Sequence, residues 1–189
     1  MARKENQRVK LTKKLLKDSL IGLMHNKPIG KITIKEVCEN AEINRSTFYL
    51  YYTDQYALLA EIENELIAHA QEHLKKIDSD AGSLQYLTAL LSYIQEHADI
   101  FRTLLCRQES LSFQAAFVEA SFLNLKLNLS LNCSESVAGY VYNYLIMGCL
   151  SMIKQWIEAG FNLSSKDMAD LIFRLSDGAA STIPDSLMH

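Results

Sequence analysis

The stretch from Thr33 to Tyr52 has room for only two short helices and the turn that joins them, and it constrains the fold more than any other part of the chain. Thr33-Ile34-Lys35-Glu36 matches a capping box, in which the threonine hydroxyl accepts from the amide three residues on while the glutamate reaches back. A helix is expected to start there, carry Ile34, Val37, Cys38 and Ala41 on one face, and end between Asn40 and Ile43. Asn44 is placed to cap a helix of barely two turns, and Asp54 to cap a longer one through Leu58, Ile62, Leu66 and Ile67. Ala41, Ile43 and Phe48 are spaced to pack the two short helices together. That leaves Arg45, Ser46, Thr47, Tyr49 and Leu50 for the outward face. A guanidinium fork, two hydroxyls and a phenol can serve base edges and phosphates alike. Two short helices behind a basic one form the geometry that sets a helix into a major groove. A purely structural helical hairpin is the rival reading.

The remaining pattern is helical. Only two prolines occur, Pro28 and Pro184, and no segment alternates β-branched and polar residues between tight glycine turns, so an all-α fold is expected. Leu16, Leu20, Leu23 and Met24 recur at helical spacing after a basic lead-in, and Asn26 to Gly30 break that first helix. The best boundary is Asp78 to Gly82, followed by Ser83 as an N-cap. Further breaks are expected near Cys106 to Ser110, near Asn132 to Ser134, and at Gly160 to Ser165, where Ser164 and Asp167 offer another cap. No internal repeat or low-complexity tract is present.

The chain's net charge of −3 argues against a nucleic-acid partner, but the charges are unevenly placed. Residues 1–60 hold 11 Lys and Arg against 6 Asp and Glu, a net of +5, and the rest hold 8 against 16, a net of −8. A basic head on an acidic body suits a polyanion at one end; a solvated charged face would give the same imbalance. Cys38, Cys106, Cys133 and Cys149 form no C-x-x-C pair, which points to buried thiols in a reducing compartment. The N-terminus lacks the apolar core of a secretory signal and no stretch is long and apolar enough to span a membrane, so a cytoplasmic protein is expected. His69 and His73 have the spacing of two metal ligands, yet no Asp, Glu or Cys is placed to complete a site, and neither a metal nor another cofactor is expected. No G-x-S-x-G, phosphate-binding glycine loop or nucleophile with a base is visible, so no enzyme is expected.

From Ile32-Thr-Ile-Lys-Glu-Val-Cys-Glu-Asn-Ala41 through Glu42-Ile-Asn-Arg-Ser-Thr-Phe-Tyr-Leu-Tyr-Tyr-Thr-Asp54, the chain resembles the DNA-binding stretch of the tetracycline-repressor (TetR) family. The resemblance covers roughly residues 10 to 65, with capping, apolar and aromatic positions coinciding in order. It implies residues 1–55 as a three-helix, helix-turn-helix DNA-binding domain and residues 56–189 as a helical ligand-binding and dimerisation domain, with a helix at 54–77 connecting the two. Thr33 matches a helix-start hydroxyl that contacts phosphate. Arg45, Ser46 and Thr47 match positions that read bases or backbone, and Tyr49 matches a phosphate-contacting tyrosine, while Phe48 and Tyr52 match packing positions. The chain also departs from the family pattern. Glu42 stands where many members have glycine, so the turn there is differently shaped or strained. Leu50 replaces an aromatic or polar residue and offers an apolar contact to a thymine methyl. Tyr51 replaces a common histidine. Gln55 replaces a common lysine, which leaves the helix amides to meet a phosphate.

Tyr140 to Gly148, Ile153 to Gly160 and Ser165 to Ala169 resemble the C-terminal region of one TetR branch. The resemblance implies a homodimer through residues 137–180, the last two long helices, with paired recognition helices roughly 34–36 Å apart on a palindromic DNA operator. It also implies an effector pocket, for which Tyr86, Tyr93, Phe101, Phe117, Tyr144 and Met147 are the candidates; aromatic residues at helical spacing read equally as core. The expected function is a repressor released from DNA when a small-molecule effector favours another conformer. The alternative is a regulator, or a coactivator-dependent activator, controlled by a protein partner.

Overall fold

The computed structural model describes residues 2–75, 82–107, 111–122 and 135–181, and the described residues contain helices and turns and no strand. In order these are α1 (Ala2–Met24), a 3-10 turn (Ile29–Lys31), α2 (Ile34–Asn40), α3 (Arg45–Tyr49), α4 (Gln55–Leu74), α5 (Ser83–Glu96) and α6 (Ala98–Phe101). A π-helical stretch, Arg102–Arg107, continues α6, and α7 (Leu111–Phe122), α8 (Glu135–Glu158) and α9 (Ser165–Ser181) complete the set. Contacts divide the chain into two units along α4. The first runs through Leu66 and includes Arg107; the second holds Ile67–Cys106 and the helices from α7 on.

In the first unit, α2 has 7 residues and α3 has 5. Helices this short have almost no stability of their own and depend on what they pack against. Leu16, Leu20 and Met24 of α1 are buried, as are Ile32, Val37, Cys38, Ala41, Phe48, Tyr52, Leu58 and Ile62. Phe48 is 0% exposed, and burying such a side chain contributes about 2–3 kcal/mol. The buried Ser19 hydroxyl donates to the Val37 carbonyl (2.9 Å) and accepts from Asn40 Nδ2 (3.1 Å), tying α2 to α1. Arg107 donates from its guanidinium to the His25 carbonyl just beyond α1.

The expected caps form in part. The Thr33 capping box is complete: Glu36 N donates to Thr33 Oγ1 (3.2 Å) and Thr33 N to Glu36 Oε2 (2.9 Å). Asp54 Oδ1 accepts from Ala57 N at 2.8 Å. Asn44 occupies the N-cap of α3 with extended backbone, but its side chain makes no cap bond; the α3 amides of Thr47 and Phe48 bond instead to the Asn44 carbonyl.

In the second unit α5 and α9 share the most extensive packing, with α8 against α9 and α7 against α8. Leu87, Leu90, Leu91 and Ile94 of α5, Met168, Ala169 and Ile172 of α9, and Leu145, Leu150, Ile153, Trp156 and Ile157 of α8 are all buried. Gly82, rather than Ser83, is the N-cap of α5; residues 78–81 of the expected boundary and the break expected at Asn132–Ser134 lie outside the described residues. Of the break expected at Cys106–Ser110, residues 108–110 lie outside the described residues; the helix before it passes Cys106. It runs on to Arg107, held by Thr103 Oγ1 on the Asp99 carbonyl (2.9 Å) and Arg102 on the Ile157 carbonyl (3.2 Å). The break at Gly160–Ser165 forms, and Ser164 Oγ caps α9 by accepting from Asp167 N at 3.1 Å. No described helix is long and apolar enough to cross a membrane.

Candidate nucleic-acid interface

The turn between α2 and α3 sets how the second helix is presented. The Glu42 amide bonds to the Glu39 carbonyl (3.3 Å) and the Ile43 amide to the Cys38 carbonyl (2.9 Å), with Glu42 left-handed at φ 55°. This is the paired-bond helix ending that usually places glycine at the left-handed position. The Glu42 departure therefore leaves the turn's shape intact and puts its strain in that residue's backbone.

Beyond the turn, α3 buries Phe48 and turns Arg45, Ser46, Tyr49 and Leu50 to the exterior. Tyr49 is 58% exposed and Leu50 75%. Thr47, expected on the outward face, is half-buried, as are Tyr51 and Gln55. Thr33 is exposed, but its hydroxyl is engaged on both sides, accepting from Glu36 N and donating to Glu36 Oε2 (2.9 Å). Lys27 pairs with Glu36. That lysine, the Thr33 amide and the Thr33 hydroxyl together hold the Glu36 carboxyl down to about 2. Arg45 pairs with no acidic side chain among the described residues and borders a cleft of about 330 Å³ with Lys35, Cys38, Glu39 and Asn44. Burial pushes the Cys38 thiol up, against a smaller opposing effect of Arg45, which keeps it protonated.

Behind α3 lies a cluster for which sequence reasoning had counted only charges. Lys13 and Lys17 of α1 face Glu61 and Glu65 of α4: Lys13 Nζ is 3.1 Å from Glu61 Oε2, and Lys17 Nζ is 2.7 Å from Glu61 Oε1 and 2.6 Å from Glu65 Oε1. Burial by itself would lower the Lys17 ammonium, but the two carboxylates outweigh it and hold it above an ordinary lysine. Burial would likewise raise Glu61, and Lys17 and Lys13 overcome that and hold it low. Burial, then the Glu61 charge, pushes the Tyr52 phenol well up. The signal in the sequence was the pair of four-residue spacings, Lys13/Lys17 and Glu61/Glu65, one of each sign on two helices. A further exposed aromatic that the sequence reading did not single out is Tyr56, 52% exposed at the start of α4.

In the second unit the six candidate pocket residues differ widely in burial. Tyr93, Phe101 and Phe117 are buried in a chain of ring contacts, Tyr93 to Phe101 at 6.0 Å and Phe101 to Phe117 at 5.5 Å. Tyr86 is half-buried. Tyr144 and Met147 are 71% and 54% exposed on α8, in one stripe with Tyr140, and Leu171 and Leu175 of α9 are exposed too. The His73 ring lies tilted against Tyr93 with centroids 5.4 Å apart, and no cluster of three His, Cys, Asp or Glu able to hold a metal ion occurs among the described residues.

Comparison with known proteins gives the same architecture. Residues 83–178 match the TetR-type family described as the transcriptional regulator C-terminal region. The uncharacterized HTH-type transcriptional regulator YxbF of Bacillus subtilis (strain 168) is 23% identical over 171 residues, 85% of this chain and 43% of that protein, so the chain spans less than half the length of this curated relative. Among solved structures, a TetR transcriptional regulator from Streptococcus agalactiae 2603V superposes with a TM-score of 0.73 at 20% identity, covering 93% of this chain and 99% of the other. The fatty acid degradation regulator FadR from Bacillus halodurans gives 0.64 at 12% identity over 88% and 95% of the two chains. The dihydroxyacetone kinase operon activator DhaS gives 0.58 at 17% over 92% and 98%. At these identities the structural likeness is one of fold.

Proposed function

The chain belongs to the TetR family of transcriptional regulators, and on that premise we propose that it binds a palindromic DNA operator as a homodimer and acts as a repressor. The observation that carries this reading is α3, which presents Arg45, Ser46, Tyr49 and Leu50 outward from a helix whose other side is locked by Phe48. Arg45 is suited to a guanine edge or a phosphate, Leu50 to a thymine methyl, and Tyr49 with Ser46 to the backbone. Thr33, Thr47, Tyr51 and Gln55 flank that face and supply secondary contacts. The exposed stripe of Tyr140, Tyr144 and Met147 on α8 with Leu171 and Leu175 on α9 supports pairing of two copies through these helices, since an apolar surface of this kind is normally covered. Release would come from a small molecule that binds the second unit and favours a conformer with wrongly spaced recognition helices.

A second reading, control by a protein partner with activation as the output, is favoured by one observation. Tyr93, Phe101 and Phe117, three of the six residues expected to line a pocket, are buried in ring contact with one another. The fold is also shared with a protein described as an operon activator, so the fold leaves the sign of regulation open.

Selection of random duplex DNA by the purified chain, with sequencing of what is retained, tests the DNA-binding reading. Enrichment of a two-fold-symmetric site is expected; retention without any shared sequence would overturn it. Arg45→Ala should relax the preference at one base pair, and Tyr49→Phe should weaken all sequences alike.

A further inference from the structure

Lys13 reaches two elements at once. Its ammonium lies 3.1 and 3.3 Å from the Glu61 carboxylate oxygens on α4, and 5.8 and 5.4 Å from the ring centroids of Tyr51 and Tyr52 at the end of the recognition helix. Both rings are within the range of about 6 Å at which a cation is attracted to an aromatic face. Tyr52 is buried and already held by Phe48, whose ring centroid is 5.6 Å away. Tyr51 is half-buried, edge-on to Tyr52 at 6.4 Å, and so has more rotamer freedom to lose. Lys13 itself is not free to swing. Its side chain is 31% exposed, and the carboxylate that holds it is fixed from the other side by Lys17 at 2.7 Å.

We propose that Lys13 is a positioning residue for DNA binding: anchored on Glu61, it holds the Tyr51 ring in the orientation that offers its hydroxyl to a backbone phosphate. This deepens the DNA-binding reading and rests on it. Two rival roles exist for the same lysine. It could meet a phosphate directly, which its existing ion pair disfavours, or it could merely stabilise the fold. The positioning role differs from both because it makes the value of the Tyr51 hydroxyl depend on Lys13 and, through it, on Glu61.

The test measures Kd of the full chain for a duplex recovered in the selection above, and reads the factor by which Tyr51→Phe weakens binding in several backgrounds. In the wild-type chain that factor should be about tenfold, the worth of a hydrogen bond to a charged group. In Lys13→Met it should fall to about two- to threefold, because the loss of ring positioning has already been suffered. Lys13→Arg keeps a cation and should restore the wild-type factor. Glu61→Gln keeps the shape of α4 and serves if Lys13→Met does not fold. Removing an acidic charge should by itself favour DNA, yet the Tyr51→Phe factor should shrink there as well.

An unchanged factor in all backgrounds overturns the inference, as does a Tyr51→Phe variant that binds like wild type. A fall of about one in the slope of log affinity against log salt on Lys13→Met would show Lys13 on a phosphate itself and overturn the positioning role. A wild-type chain that retains no duplex would remove the DNA-binding reading and this inference with it. Unchanged factors in a chain that binds its site strike the inference alone.

Discussion

The turn after α2 and the turn after α8 are closed by the same pair of hydrogen bonds and built from different residues. After α2, Glu42 N meets the Glu39 carbonyl and Ile43 N the Cys38 carbonyl; after α8, Gly160 N meets the Ile157 carbonyl (3.2 Å) and Phe161 N the Trp156 carbonyl (2.9 Å). The left-handed position is Glu42 at φ 55° in one and Gly160 at φ 72° in the other. Glycine adopts that conformation freely, whereas an L-residue there costs about 1–2 kcal/mol. The α8 turn adds a second strained residue, Phe161 at φ 61°, and offsets it by standing that ring edge-on to Trp156 at 4.8 Å while the indole donates to the Leu163 carbonyl (3.0 Å). One turn is thus specified mainly by its backbone and a local ring contact. The other sets an unwilling residue between helices whose Val37, Ala41 and Phe48 are buried.

The comparison breaks most visibly at Phe48. Phe48→Ala should cost about 3–5 kcal/mol in urea denaturation and abolish retention of DNA, because the two backbone bonds of the α2–α3 turn would then have to hold a strained residue without the buried ring. A cost below about 1 kcal/mol would mean that the turn stands on its own backbone. Next in size is Gly160→Ala. The added Cβ would meet no atom within 4 Å, so only the backbone resists it, at about 1–2 kcal/mol. The opposite exchange, Glu42→Gly, should stabilise the chain by about 1 kcal/mol at no loss of packing. If the two glycine exchanges do not differ in sign, strain is not what separates the turns.

The same contrast explains what could be read from the sequence. Signals confined to a few neighbouring residues were legible: the Thr33 box, the Asp54 cap, the break at Gly160 and the Glu42 departure each rest on chemistry within one turn of helix. Asn44 was placed correctly, but its side-chain bond did not form, since the backbone carbonyl already serves the α3 amides. The Lys13–Glu61 cluster joins residues 48 apart, and neither helix alone reveals that they meet. Tyr144 and Met147 were ambiguous for another reason. Aromatic and apolar residues at helical spacing look the same whether they face a core, a pocket or a second chain, and only the burial of Leu145, Cys149 and Ile153 on the other side of α8 assigns the stripe outward. The π-helical run at Arg102–Arg107 was not read from the sequence, and one of its bonds, from Arg102 to the Ile157 carbonyl, spans 55 residues.

The two turns also differ in the caps beside them, and here the expected effect is smallest and most specific to pH. Ser164 and Asp167 cap α9 between themselves, with Ser164 Oγ donating to Asp167 Oδ2 at 2.6 Å. The Thr33–Glu36 box ahead of the strained turn adds a cation, Lys27, to the same carboxylate. The Lys27 bond first, then the Thr33 amide and hydroxyl, lower the Glu36 carboxyl from 4.5 to about 2. A carboxyl lowered by folding contributes stability that is fully present above its unfolded value and disappears as pH falls through its folded value. The stability difference between wild type and Glu36→Gln, measured by thermal melting, should therefore be level above about pH 5, shrink between 4.5 and 2, and vanish below that. Lys27→Met removes the largest cause and should move the loss toward higher pH. A difference that persists unchanged at pH 2, or a window that Lys27→Met leaves in place, would show that the box is held by geometry alone and that the lysine plays no part in fixing the helix on which the strained turn depends.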